Sequence, residues 1–240
     1  VITNDISNQQ IKAFAEDAQG YIWVGTFRGL NRYNVHEYHQ YFCTDDSSGL
    51  PDNQITDLLL DSKGRMWVAT VNGVCIYTDK DNFQRIPFDH ENKNIHQLME
   101  NREGHILMAT EQQLFVYNSD RNRLDCLLTD LDPQHTFNTE CHIDNGNNLW
   151  VVNYSSLRRY NASTMELLDS VATKSYPYHS FMHGDELWLT GNQTLSIFDT
   201  RTRQYCPVPE VIARHPQLAS AEIDYIHPYG SHALLLNTTK

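Results

Sequence analysis

The chain has 240 residues, 40% of them hydrophobic, 20% charged and 11% aromatic, which is enough apolar material to bury a sizeable core. Its formal charge of -12 excludes nucleic acid as an expected partner, because that affinity comes mostly from Lys and Arg neutralising phosphates. No apolar run reaches the ~18 residues of a membrane-spanning helix, so any anchor is expected outside this stretch, and a start at Val1 leads to the expectation of a processed or excised N-terminus.

In chain order, short strands alternate with turn signals. The first unit predicts strands at residues 11–15, 21–26, 30–33 and 38–42, and residues 1–3 could lend one more. The second predicts 55–60, 65–70, 74–77 and 83–86. Between its first two strands, Asp61-Ser62-Lys63-Gly64 has Asp at the first and Gly at the fourth place of a tight turn. Asn72-Gly73, a strong turn dipeptide, leads into the third strand. The third unit reads 95–99, 105–110, 114–117 and 124–128, with Asn101 in place of the turn Asp and Leu107 in place of the tryptophan. The fourth has Asp144-Asn145-Gly146-Asn147 as its turn, then 149–152, 157–160 and 167–171. The fifth has His183-Gly184-Asp185, then 187–190, 195–198 and 205–206. A sixth begins at Ile223 and runs to Leu234-Leu235-Leu236-Asn237-Thr238. No segment of ten or more residues shows helical periodicity.

The common pattern is D-x-x-G-x-φ-W-V-small-T-x-x-G-φ-x-x-Y, with φ apolar, clearest at residues 17–33 and 61–77. Aligned on Trp23, the copies place Trp67, Leu107, Trp150, Trp188 and Leu235 at spacings of 38 to 47 residues. That period with this alternation is the signature of a four-stranded propeller blade, whereas leucine-rich, ankyrin and TPR repeats are shorter. The fold class expected is therefore all-β: a single incomplete β-propeller spanning 1–240, with blades at about 11–43, 55–88, 95–129, 138–172 and 178–208 and a partial blade at 221–240. Because a propeller removes its sheet edges by closing, the natural protein is expected to continue beyond Lys240.

The stretches Asp17-Ala18-Gln19-Gly20-Tyr21-Ile22-Trp23-Val24-Gly25-Thr26, Gly29-Leu30-Asn31-Arg32-Tyr33 and Gly49-Leu50-Pro51-Asp52-Asn53-Gln54-Ile55 closely resemble the two-component-regulator propeller repeat. The resemblance extends over essentially the whole chain; it is highly specific in the first two units, good in the fourth and degenerate in the others. It implies part of a seven-bladed propeller in the periplasmic sensor region of a hybrid two-component regulator of gut Bacteroidetes. In that family two propellers and a small β-sandwich precede a membrane helix, a histidine kinase, a receiver and a DNA-binding domain. It further implies an oligosaccharide ligand, a homodimeric receptor, and the remainder of its own chain as a partner.

The repeated Trp reads as core wedged between blades rather than as a sugar platform, since its place in the second strand is constant. Recognition is sought instead where loops break the repeat on a rigid frame. The loops between second and third strands offer Phe27, Arg28, Val71, Asn72, Glu111, Gln112, Gln113, Asn153, Tyr154, Ser155, Asn192 and Gln193. Those between blades add Asp52, Asn53, Gln54, Asn92, Lys93, Asn94, Tyr176, Pro177, Tyr178 and His179. The ligand-binding set expected from these is Phe27, Arg28, Asn53, Asn72, Glu111, Gln112, Tyr154, Tyr178, His179 and Asn192. Planar amides, Arg and Tyr in these loops suit a hydroxyl-rich ligand.

No catalytic residue, metal or cofactor is expected. The twelve histidines form no H-E-x-x-H set, the Asp-x-x-Gly turns lack the alternating acids of a calcium loop, and neither G-x-S-x-G nor a phosphate loop occurs. Paired carboxylates on the inner strands remain an alternative, with Asp57 and Glu100 as candidates for a polysaccharide-acting glycosidase or lyase; a protein-interaction propeller is the third reading. Five scattered cysteines without C-x-x-C argue against a zinc knuckle, and Cys75 and Cys126 read as small buried hydrophobes. Free thiols sit uneasily with an oxidising periplasm.

Overall fold

In a computed structural model, the described residues are 2–119, 121–131, 139–174, 176–191, 194–214, 223–229 and 233–238. They fall into two compact units, Val1–Asp130 and Leu131–Lys240. Each is built from antiparallel meanders.

The first unit holds three sheets. Strands β1 (Ile2–Thr3), β2 (Ile11–Glu16), β3 (Ile22–Thr26), β4 (Gly29–Tyr33) and β5 (Tyr38–Tyr41) make the first, in the order β1-β5-β4-β3-β2. The N-terminal strand thus completes the outer edge, with Ile2 opposite His39. The second consists of β6 (Ile55–Leu60), β7 (Met66–Thr70), β8 (Gly73–Thr78) and β9 (Asn82–Arg85). The third consists of β10 (Gln97–Glu100), β11 (Ile106–Ala109), β12 (Leu114–Asn118) and β13 (Arg123–Leu128). The second unit repeats the design in β14 (Glu140–Ile143), β15 (Asn148–Val152), β16 (Ser156–Asn161) and β17 (Leu167–Ala172), then in β18 (Pro177–His183), β19 (Glu186–Gly191), β20 (Thr194–Asp199) and β21 (Gln204–Cys206). A short helix α1 (Glu210–Ala213) precedes the two-stranded pair β22 (Ile223–Tyr229) and β23 (Ala233–Thr238). The expected all-β blade architecture is present, and α1 is the α-helix among the described residues.

In the first five sheets the strand at the tryptophan position, β3, β7, β11, β15 or β19, is the most buried, because both its faces are covered by neighbouring elements. Trp23, with 1% of its surface exposed, packs with Tyr41 of its own sheet and with Leu58, Met66 and Phe83 of the second. Trp67 packs in turn with Ile95, in the connection before the third sheet, and with Ile106, Met108 and Phe115 of that sheet. In the second unit Trp150 packs with Leu187, Leu189 and Phe198. Each indole removes roughly 200 Å² from water, a gross gain of about 5 kcal/mol. These tryptophans are core between sheets, as expected.

In the first, second and fourth sheets the Asp of the hairpin turn does more than close the turn. In Asp61, Oδ1 accepts the N–H groups of Lys63 and Arg65, while Oδ2 accepts the Trp67 indole N–H at 2.8 Å. Asp17 holds Trp23, and Asp144 holds Trp150, through the same bond at 2.8 Å. One carboxylate therefore fixes the turn with one oxygen and satisfies a buried donor with the other. Where the tryptophan is Leu107, there is no indole donor, and the turn residue is Asn101, whose single oxygen accepts the His105 N–H at 2.9 Å. The two replacements in the third repeat share one cause.

All five cysteines are unpaired, with Cys75 and Cys141 buried. Cys126, expected inside, is exposed: its strand β13 is the outer one, and its thiol donates towards Leu128 O at 3.6 Å.

Candidate functional site

The loops expected to bind ligand are built by one recurring turn. Thr70 Oγ1 donates to Gly73 O at 2.8 Å and accepts the Asn72 N–H at 3.2 Å; Thr26 does the same with Gly29 O and the Arg28 N–H. Gly29 and Gly73 have φ of 120° and 112°, outside what a side chain tolerates, and their N–H groups turn outward to Asn53 O and Lys93 O at 2.7 and 2.9 Å. Each such loop is thereby bonded to the connection entering the next sheet. The result is a rigid frame rather than a floppy rim.

In the first unit this frame gives the predicted residues two fates. Asn53 is structural: its Oδ1 accepts the Cys43 N–H at 2.7 Å, and its carbonyl holds Gly29. Phe27, Arg28 and Glu111 are exposed, and Gln112 is half-buried. Asn72 lines a cleft of about 220 Å³ together with Pro51, Phe88 and Lys93. Phe88 stacks on His90 with centroids 5.8 Å apart and meets Phe115 edge-on, so its ring is held in place. Arg85 also borders the cleft but is consumed by the carbonyls of Thr44, Gly49 and Leu50.

The second unit carries the aromatic part. Tyr154 stacks on Tyr176 with centroids 4.3 Å apart and planes 14° apart, joining two loops that sequence spacing leaves separate. Tyr176 is 62% exposed and Tyr178 37% exposed, so ring faces remain open to solvent. His179 is engaged: its Nδ1 lies 3.1 Å from Glu140 Oε1. Asn192 and Gln193 lie outside the described residues.

Glu140 had no counterpart in the sequence reading. Its Oε2 accepts Ser180 Oγ at 2.6 Å and also the Ser180 N–H, and His142 Nε2 lies 2.7 Å from that same hydroxyl. Burial alone would raise the Glu140 carboxyl, but hydrogen bonds from His179 and Ser180 and the positive fields of His142 and His179 hold it below the usual range. Burial depresses the His142 imidazolium, with the Glu140 charge opposing.

Asp57, offered as a candidate acid, occupies the same place in its sheet as Glu140 does. It pairs with Ala69, and Glu140 with Val152, each two residues beyond the tryptophan of the second strand. Asp57 Oδ2 accepts the Leu98 N–H at 2.7 Å, and Oδ1 accepts the Leu58 N–H at 2.8 Å. Both carboxylates therefore cap an N–H on the first strand of the next sheet, an edge otherwise without a ladder partner. Glu100, the other candidate, accepts Ser62 N–H and Oγ from the neighbouring turn. The two acids have separate structural partners instead of forming a catalytic pair. Alternation exposes Asp57 as an acid in a strand; only the packed sheets reveal what it faces.

Two segments, residues 5–28 and 49–72, match the family model described as two component regulator propeller. No protein of curated function matches the chain. Among solved structures, the extracellular domain of the hybrid two component system BT3049 from B. thetaiotaomicron superposes with a TM-score of 0.75 at 15% identity, covering 99% of this chain and 34% of that one. Virginiamycin B lyase from Staphylococcus aureus superposes with a TM-score of 0.70 at 15% identity, covering 98% of this chain and 80% of the lyase. A catalytically inactive H270A form of that lyase with quinupristin gives 0.72 at 13% identity, covering 98% and 81%. At these identities the likeness is one of fold. The chain spans about a third of the length of the BT3049 ectodomain.

Proposed function

We propose that this chain, which carries two-component-regulator propeller repeats, is part of the periplasmic sensor region of a hybrid two-component regulator and contributes to binding an oligosaccharide. The observation that carries the ligand class is the Tyr154–Tyr176 stack, an aromatic surface presented by two loops, with Tyr178 exposed nearby in sequence. Flat rings rimmed by polar groups suit pyranose faces, and a stacked pair loses little side-chain entropy on binding. The resemblance supplies the rest: a ligand-dependent change passed to a cytoplasmic histidine kinase, in a homodimer that includes the second propeller and the β-sandwich.

Calorimetric titration of the full receptor ectodomain with plant and host oligosaccharides tests this. Binding that Tyr176→Ala weakens by about tenfold or more, roughly 1.4 kcal/mol, is the expected result. No heat with any glycan would remove the sensing role, and binding untouched by Tyr176→Ala would move the site elsewhere. The lyase likeness, which is one of fold, leaves a second reading open, an enzyme; the substrate class tested for it is polysaccharide. Against it, Asp57 and Glu140 are occupied by backbone N–H groups. The appearance of new reducing ends during incubation with the same panel would establish it.

A further inference from the structure

At the other end of the first two sheets, away from the loops just described, the two hairpin turns and the β8–β9 connection border an open cavity of about 510 Å³. That volume suits a monosaccharide-sized ligand. Arg32 lines the cavity, and Arg32 departs from the repeat. The position opposite the tryptophan in the third strand is Ile76 in the second sheet, Val116 in the third and Ile197 in the fifth, all apolar. Arg159 stands there in the fourth sheet, but it is neutralised by a two-point bond to Asp169 at 3.1 and 2.6 Å.

Arg32 has no such partner. Its guanidinium lies 4.8 Å from the Tyr21 ring centroid and 5.5 Å from those of Trp23 and Tyr77. One nitrogen donates to Tyr77 Oη at 2.6 Å, a second reaches Asp81 at only 3.5 Å, and Nε is buried with no acceptor. Asp81 is committed elsewhere, since its Oδ1 also accepts Tyr41 Oη at 2.7 Å and Tyr77 Oη at 3.1 Å. Among the described side chains, Asp17 on the cavity wall and Asp61 in the adjoining turn are engaged as well. Asp17 holds its turn and Trp23, and Asp61 holds its turn, Trp67 and Arg65. Lys80, held at a φ of 64°, places a further cation on the cavity wall with no partner for its ammonium among the described residues. The carboxylates just named already hold other donors, while Arg32 Nε and the Lys80 ammonium are left over, in a chain whose net charge is -12.

From this imbalance we infer that the cavity between the first two sheets binds a sugar-sized ligand bearing a carboxylate, with Arg32 and Lys80 supplying the charge and Tyr21 and Tyr77 an aromatic wall. A uronic acid meets both requirements; a simple organic acid meets only the first. This site shares no residue with the Tyr154–Tyr176 surface, so it stands or falls without the reading above.

The test is calorimetric titration of the full ectodomain with glucuronate, galacturonate, the matching neutral hexoses and acetate. Uronate binding is expected to be at least tenfold tighter than that of glucose, galactose or acetate, and to weaken as salt rises. Arg32→Gln should reduce it by tenfold or more, and Lys80→Ala, at an exposed position that leaves the fold intact, by about threefold. Thermal unfolding of both variants separates loss of site from loss of fold. Equal affinity for the neutral hexoses, equal affinity for acetate, absence of uronate binding to the ectodomain, or an unchanged affinity in a folded Lys80→Ala together with Arg32→Gln would each overturn the assignment.

Discussion

Replacing Asp61 by Asn tests whether one carboxylate serves both the turn and the core. Asn keeps an oxygen for the N–H groups of Lys63 and Arg65, as Asn101 does in the third repeat, but offers Trp67 an N–H where it had an acceptor. Trp67 is fully buried, so its indole donor finds no water. A buried donor left unpaired costs about 1–3 kcal/mol, and loss of a charged partner for the half-exposed Arg65 adds under about 1 kcal/mol. The expected loss is about 2–4 kcal/mol, read as a lower urea midpoint by far-ultraviolet circular dichroism. Burial pushes the Asp61 carboxyl up, but the N–H groups of Trp67 and Arg65 and the guanidinium charge outweigh it and hold it below the usual range. Its stabilisation is therefore complete above about pH 4 and is lost as pH falls through the folded-state value, so wild type and variant should converge in acid. The decisive comparison is a cycle with Trp67→Leu, which rebuilds the Asn101 and Leu107 pair. In the leucine background Asp61→Asn should cost at least 1 kcal/mol less than in the native one. Equal costs in the two backgrounds would refute the shared role.

Three further outcomes follow from the same contacts. Burial pushes the Asp57 carboxyl up to about 6, against the N–H groups of Leu98 and Leu58. The folded state therefore binds more protons than the unfolded one between about pH 4 and 6, stability declines as pH rises through that window, and Asp57→Asn should flatten the decline; carbon-13 titration of the carboxyl should show its midpoint near pH 6. Glu140→Gln weakens the bond to Ser180 and releases His179, so about 1–3 kcal/mol should be lost in denaturant unfolding above pH 5. That difference should shrink below pH 4, because the depressed Glu140 carboxyl stabilises only while ionised. Gly73→Ala forces a side chain into a φ of 112° and should lower the thermal midpoint, with a cost of about 1–3 kcal/mol.

Much of the fold is legible in the chain itself. The period of the tryptophans, the Asp-x-x-Gly turns and the alternation of β7 and β8 depend on residues at most a few places apart, and short-range order is what sequence spacing encodes. The loops expected to bind were also legible as loops. Their roles were less so: Asn53 is spent holding the Cys43 N–H and Gly29, whereas Asn72 remains on a cleft, although both are polar residues in variable loops. Tyr176 gained importance through a partner 22 places earlier in the chain. Arg32 stands in a strand where Ile76 and Val116 stand, so its departure from the repeat is visible in the sequence, whereas its unused donors are not.

The sequence by itself determined the repeated four-stranded unit, the residues that turn each hairpin and the buried tryptophan, because hydrogen-bonded turns and period-two burial are local physics. Tertiary structure decided which polar groups are free. Asp57 and Glu140 proved to be tied to the next sheet, 41 and 40 residues away, while Arg32 was left with unused donors beside aromatic rings. Whether a charge is satisfied depends on groups brought together from distant repeats, and no spacing within one repeat contains that information.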